Sequence, residues 1–186
     1  MSADSSKVVT VLTEQHEQVK TLMEQVLSAQ PRDRRAAFDL LRCFLASHEA
    51  AEAEVVHSLA RLDLGTDDEV VTERLAEEDE AGKAIGKLEQ LDVDGDEFAT
   101  EFATLQKAVI AHAEAEEHKE LPAVAGDLDA QQVDEMVRAL REVPGFASTG
   151  TEELAANGNT FAAMLETARD YFRRSSMTSP APSKQN

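Results

Sequence analysis

Aromatic side chains are almost missing from this chain: they make up 4% of 186 residues, with no Trp and one Tyr. Runs of β-branched and aromatic residues are equally scarce, so strands have little to be built from. Glycine and proline number only 8 and 5, which leaves few interruptions to helices. The single cysteine, Cys43, excludes an internal disulfide. Positive charge is also scarce, 18 Lys and Arg against 37 Asp and Glu, for a net charge of −19. A surface of that sign repels nucleic-acid phosphates and anionic lipid, so neither is expected as a partner. No apolar run approaches the ~18 residues of a membrane span, and the polar start from Met1 to Lys7 lacks the apolar core of a secretory signal. The expectation is a soluble, cytoplasmic, all-α protein.

The apolar residues fall on stripes spaced three and four apart, the mark of one helix face. The first stripe is Val9, Leu12, His16, Val19, Met23 and Val26, ending before Pro31. The second is Phe38, Leu41, Leu45, His48, Glu52, Val55, Leu59 and Leu62, followed by Gly65 and the capping signal Thr66-Asp67-Asp68. The third is Val71, Leu75, Glu78, Gly82, Ile85 and Leu88, closed by the turn signal Asp92 to Asp96. The fourth is Phe98, Phe102, Leu105, Val109, His112 and Glu116, ending before Pro122. Four such segments with short loops predict an up-down-up-down bundle over 1–124. A C-terminal helical extension over 125–174 is expected to pack on it. There Asp129 caps a short helix through Val133, Met136, Val137 and Leu140. A loop follows at Pro144-Gly145 and Ser148 to Gly150, then an amphipathic segment from Phe161 to Phe172. The Ser-, Pro- and Lys-rich tail over 175–186 is expected to be disordered.

Every stripe is interrupted by a titratable group where a leucine would serve: His16, then His48 with Glu52, then Glu78, then His112 with Glu116. Burying such a group without partners costs several kcal/mol, against a net stability of only ~5–15 kcal/mol for a whole domain. Counting ~1.5 Å of rise per residue from the loop ends puts all of them in one layer near one end of the bundle. The spacing of four in His48/Glu52 and His112/Glu116 lets both members of each pair reach one point. A lone histidine on an apolar face is ordinarily a hydrogen-bonded core residue, but the same interruption on four helices at matching height is not. Three imidazoles and three carboxylates form a donor set for two metal ions, and an oxygen- and nitrogen-rich set without thiolate suits iron, manganese or zinc. Di-iron and di-manganese sites are built this way inside bundles.

These residues resemble the hemerythrin-like (HHE cation-binding) family. The resemblance rests on Glu14-Gln15-His16-Glu17, on His48-Glu49-Ala50-Ala51-Glu52, and on the stretch from His112 to Pro122, and it covers roughly Val8 to Val124. It implies a non-haem centre of two iron ions bridged by two carboxylates, and a small ligand: dioxygen, peroxide or nitric oxide. His16, His48, Glu52, His112 and Glu116 match the family's ligand positions. The third stripe departs from the family, having no histidine. Glu78 stands in the ligand position, with Asp79 and then Glu77 as alternatives, and Ser58 stands where a proline is expected. Exchanging imidazole for carboxylate favours ferric iron and lowers the redox potential, which points away from reversible oxygen carriage and toward oxygen activation or peroxide consumption. An oxygen, nitric oxide or iron sensor without turnover, and a metal-free structural bundle, are the alternative readings. The sequence leaves monomer and weak dimer open.

The remaining candidates have plainer expected roles. His57, nine residues after His48, and His118, six after His112, fall off the stripes and read as surface histidines. Glu49 and Glu117 are possible further ligands, and Cys43 reads as a small core residue. Gly82, one turn beyond Glu78, is expected to leave room beside a bound ligand.

Overall fold

The computed structural model describes residues 5–57, 69–120, 129–157 and 159–177. Among these, six α-helices and no strands are found. They are α1 (Ser5–Ser28), α2 (Pro31–Ala51), α3 (Glu69–Leu88), α4 (Asp96–Ala115), α5 (Ala130–Asn157) and α6 (Phe161–Met177). Two of them run on into π-helical turns, α2 through Glu52–Val56 and α4 through Glu116–Glu120. The sequence-predicted Leu59, Leu62, the cap at Thr66 to Asp68 and Pro122 lie outside the described residues, as do the side chain of Val71 and the tail over 178–186. Helix α6 continues through Met177, past the start of the expected tail.

Local chemistry sets the helix ends. Gln30 is extended and Pro31 occupies the first turn of α2, where its missing N–H costs nothing. Gly95 starts α4, its N–H bonded back to the Asp92 carbonyl at 2.9 Å. At α5, Asp129 Oδ1 accepts from Gln132 N–H at 2.9 Å while Gln132 Oε1 accepts from Asp129 N–H at 2.8 Å, a reciprocal capping box that bears out the expected cap.

Helix α1 packs on α2 and on α4, α3 packs on α4, and α5 and α6 both lie against α2. The turn between α1 and α2 and the turn between α3 and α4 share one end of the bundle, where Arg34 pairs with Asp94 at 2.6 Å. Near that end Phe38, Phe98 and Phe102 pack ring against ring. The two C-terminal helices feed the same core: Met136, Leu140, Val143, Ala168 and Phe172 are completely buried. Cys43 is buried with its Sγ 3.4 Å from Met164 Sδ, the small core residue expected.

Two expectations need correction. The loop predicted at Pro144-Gly145 is instead the interior of α5. A mid-helix proline costs about 3 kcal/mol because it removes one N–H and crowds the preceding turn. Here the apolar face continues past it, with Val143 and Ala147 buried, and the Leu140 carbonyl accepts the Gln15 amide at 2.6 Å. Gly82, expected to make room at the polar layer, faces α6 instead: a Cβ there would stand 3.5 Å from the Phe161 ring, an ordinary contact.

A buried carboxylate ties three helices together. Glu89, just after α3, pairs with Arg42 of α2 and accepts the first N–H of α6, that of Phe161, at 2.6 Å. Arg42 also pairs with Asp39 at 2.7 Å and lies over the Phe38 ring. Removing one member of a buried pair strands the other, at a cost of ~3–5 kcal/mol. Glu89→Ala is therefore expected to lower stability by about 3 kcal/mol in a denaturant titration, the low end because Asp39 remains. A loss within ~0.5 kcal/mol would show that the pair is solvated.

Candidate metal centre

The polar layer forms where the two π turns begin. Glu52 and Glu116 are each the first residue of one, and each lies four residues after a histidine on the preceding helix. Turns of this kind are rare and concentrate at functional sites. His16 from α1 and Glu78 from α3 complete the ring. All six sequence-predicted residues are buried, the most exposed being His112 at 9%.

They come together closely. The His16 and His48 rings are 5.1 Å apart, edge to face. His16 Nε2 lies 3.1 Å from Glu116 Oε2 and 3.6 Å from Glu52 Oε1, and His48 Nε2 lies 3.3 Å from Glu52 Oε1. His112 Nε2 is 3.5 Å from Glu116 Oε2. Two groups of donor atoms have every member within 4.8 Å of the others: His16, His48 and Glu52, and Glu52, Glu78 and His112. Glu52 belongs to both groups, and Glu116 touches a histidine of each.

The outward atom of each ring, and of Glu78, is held from behind. His16 Nδ1–H donates to Glu117 Oε1 at 2.7 Å, His48 Nδ1–H to Gln15 Oε1 at 2.9 Å, and His112 Nδ1–H to Glu77 Oε2 at 2.9 Å. His57 Nε2–H donates to Glu78 Oε1 at 2.7 Å. The inward atoms have no such partners. His16 Nε2, both oxygens of Glu52, Glu78 Oε2, His112 Nε2 and Glu116 Oε2 are buried with no hydrogen bond of acceptable geometry. Orphaned buried polar atoms are costly and rare in native structures. A cation among them would satisfy the whole set at once, so the residues present fit a metal. The void between the three histidines is about 10 Å³, close to the minimum for a single water.

Charge in the layer is shared out accordingly. Burial pushes His16 down, but the Glu116 and Glu52 carboxylates, 3.1 and 3.6 Å from its Nε2, outweigh this and raise it to about 10. Burial and then the His16 charge lower His48 to about 3, so its ring is neutral. Glu52 is raised to about 7, by burial and then by the Glu116 charge. Burial pushes Glu116 up, yet His16 and His112 prevail and hold it at about 2. Glu49, buried beside Glu78, Glu52 and Glu116, is raised well above the ordinary carboxylate range.

The α3 alternatives separate cleanly. Asp79 is exposed and paired with Lys83 at 2.7 Å. Glu77 is half-buried behind His112 and also pairs with Arg74, at 2.6 Å. Only Glu78 turns inward. His118 is exposed, as expected, donating to the Glu114 carbonyl at 2.7 Å. His57 overturns its expectation, being completely buried against Glu78. Nine residues of regular helix would carry it to the far side from His48, but the π turn at Glu52–Val56 adds a residue to the turn and brings it back to the interior. Nothing in the local sequence announces that turn. The sequence reading also misses Gln15, although a signal for it exists: it interrupts a second apolar stripe on α1, Val8, Val11, Leu22 and Val26, all buried.

A cavity of about 600 Å³ opens between α3 and α4 and ends at Glu78 and His112. Ala81, Ala84, Leu105 and Ala108 form apolar walls, and Glu73, Glu80 and Glu101 lie at its margin. Its lining thus joins the polar layer at Glu78 and His112.

A cation entering the layer would displace the proton of His16, and below about pH 7 that of Glu52 as well. Protons are therefore competitors, and apparent affinity for a divalent cation rises with pH by about tenfold per unit for each proton displaced. The rise is steeper below about pH 7 than between about 7 and 10. Calorimetric titrations in buffers of differing ionisation heat count the released protons directly. Affinity independent of pH, with no proton release, would contradict this charge assignment.

Among the described residues no helix is long and apolar enough to cross a membrane. No curated protein and no solved structure shows significant similarity to the chain. Residues 7–124, more than half of the chain, match the family model described as the hemerythrin HHE cation-binding domain. All four interrupted helices fall within that span, α5 and α6 lie beyond it, and the chain belongs to the hemerythrin HHE cation-binding family.

Proposed function

We propose that the polar layer holds two iron ions and that the protein reacts with dioxygen or peroxide, with catalase-like removal of peroxide as the form of turnover. The observation that carries this reading is the sharing of Glu52 between two donor groups whose inward atoms lack hydrogen bonds. His16, His48 and Glu52 would hold one ion and Glu52, Glu78 and His112 the other, with Glu116 beside a histidine of each group. Iron bound there supplies one-electron redox chemistry and a coordination position for a small oxidant.

The protein's own contribution is positional and electrostatic. Glu117, Gln15 and Glu77 accept the Nδ1 protons and so aim each Nε2 lone pair inward. His57 does the same for Glu78 by holding Oε1 and leaving Oε2 free. Three carboxylates against three imidazoles stabilise the ferric state relative to a histidine-rich centre. That favours consumption of an oxidant over its reversible carriage. The apolar walls of the cavity between α3 and α4 admit a small neutral oxidant and limit bulk water at Glu78 and His112. Nitric oxide has the size and neutrality to use the same route.

Anaerobic reconstitution with ferrous iron, metal analysis and then exposure to peroxide tests the reading. About two irons per chain and peroxide loss well above that of free iron are expected. A chain that stays metal-free, or peroxide that persists at the uncatalysed rate, would overturn it. Glu78→Gln should weaken iron binding by at least the ~10–100-fold seen for outer-shell losses, whereas a merely solvated glutamate would leave binding intact.

A further inference from the structure

Helix α5 lies outside the matched family span, yet it is linked to the polar layer by a side chain of α1. Gln15 of α1 is 5% exposed and bridges two groups 92 residues apart in sequence, His48 and Leu140. Its Nε2–H donates to the Leu140 carbonyl at 2.6 Å. Its Oε1 stands 2.9 Å from His48 Nδ1. The first contact dictates the second. A backbone carbonyl can only accept, so the amide nitrogen must face Leu140 and the amide oxygen must face His48. An amide oxygen cannot donate, so His48 Nδ1 must carry the ring proton, leaving the Nε2 lone pair toward the layer.

Leu140 is an unusual place for such a contact, because a helical carbonyl normally takes the N–H four residues on. Four residues on is Pro144, inside α5, and it has no N–H to give. The proline therefore opens the carbonyl that anchors the amide. We propose that Gln15 is a positioning residue that locks His48 to the α5 backbone at the carbonyl released by Pro144, making α5 a structural part of the metal centre. The link to metal affinity rests on the iron reading above, and the link to the His48 ring does not.

Removing Gln15 leaves Glu52 Oε1, 3.3 Å from His48 Nε2, to claim the ring proton. That puts hydrogen on the atom turned toward the layer. The test is nitrogen-detected NMR of the histidine rings in the full metal-free chain, with iron titration in parallel. Wild type should show His48 protonated at Nδ1. Gln15→Leu should move the proton to Nε2 and weaken iron binding roughly 10–100-fold. Gln15→Glu keeps an acceptor for Nδ1–H and should retain the wild-type tautomer. Pro144→Ala gives Leu140 a competing helical donor and should shift both readouts the same way as Gln15→Leu, by less. This last variant improves helix propensity, so it keeps the test alive if Gln15→Leu does not fold. A folded Gln15→Leu or Pro144→Ala protein with the wild-type tautomer would overturn the proposal. Because the tautomer is read without metal, it is decided independently of whether iron binds.

Discussion

Everything in this fold is organised around one electrostatic constraint: six titratable side chains are taken out of water in a single layer, and five of them present inward atoms with no hydrogen bond. Without a cation the layer relies on the His16 imidazolium, which sits within 3.6 Å of both Glu52 and Glu116 and draws its high proton affinity from them. One internal proton is a weak substitute for the charge of metal ions among Glu52, Glu78 and Glu116. The arrangement makes sense as a centre whose missing charge arrives from outside.

The supports behind the layer come from every side. Glu117 follows Glu116 in a π turn, Glu77 precedes Glu78 on α3, Gln15 precedes His16 on α1, and His57 follows the π turn after Glu52. Three of these four are sequence neighbours of a predicted site residue. A helix that aims one side chain inward presents its neighbour to the adjacent helix, so the same register that delivers a donor also delivers the group behind a different donor. The aromatic contacts near the opposite end and the Glu89–Arg42 tie fix the helices that set this register.

Much of this was readable from the sequence because helix periodicity is a strong signal. The stripe from Phe38 to Val55 and the stripe from Phe98 to Glu116 are buried at every position, and the polar interruptions in them mark the layer. What escaped the sequence was phase and context. Regular periodicity puts His57 on the surface, but a π turn changes the phase of α2 without a local signal. At Pro144 local propensity argues for a break, whereas burial of Val143 and Ala147 and the Gln15 amide sustain the helix. The stripe places Gly82 at the polar layer, but α6, distant in sequence, brings Phe161 against it.

The claim that Glu52 belongs to two metal positions at once is the one on which the functional reading turns. X-ray absorption at the iron edge of the fully loaded chain measures it most directly. Two irons sharing carboxylates place each iron within about 4 Å of the other, so an iron–iron scattering shell at that distance is predicted. A spectrum at full loading with only light-atom shells would mean isolated ions, and would contradict the shared centre.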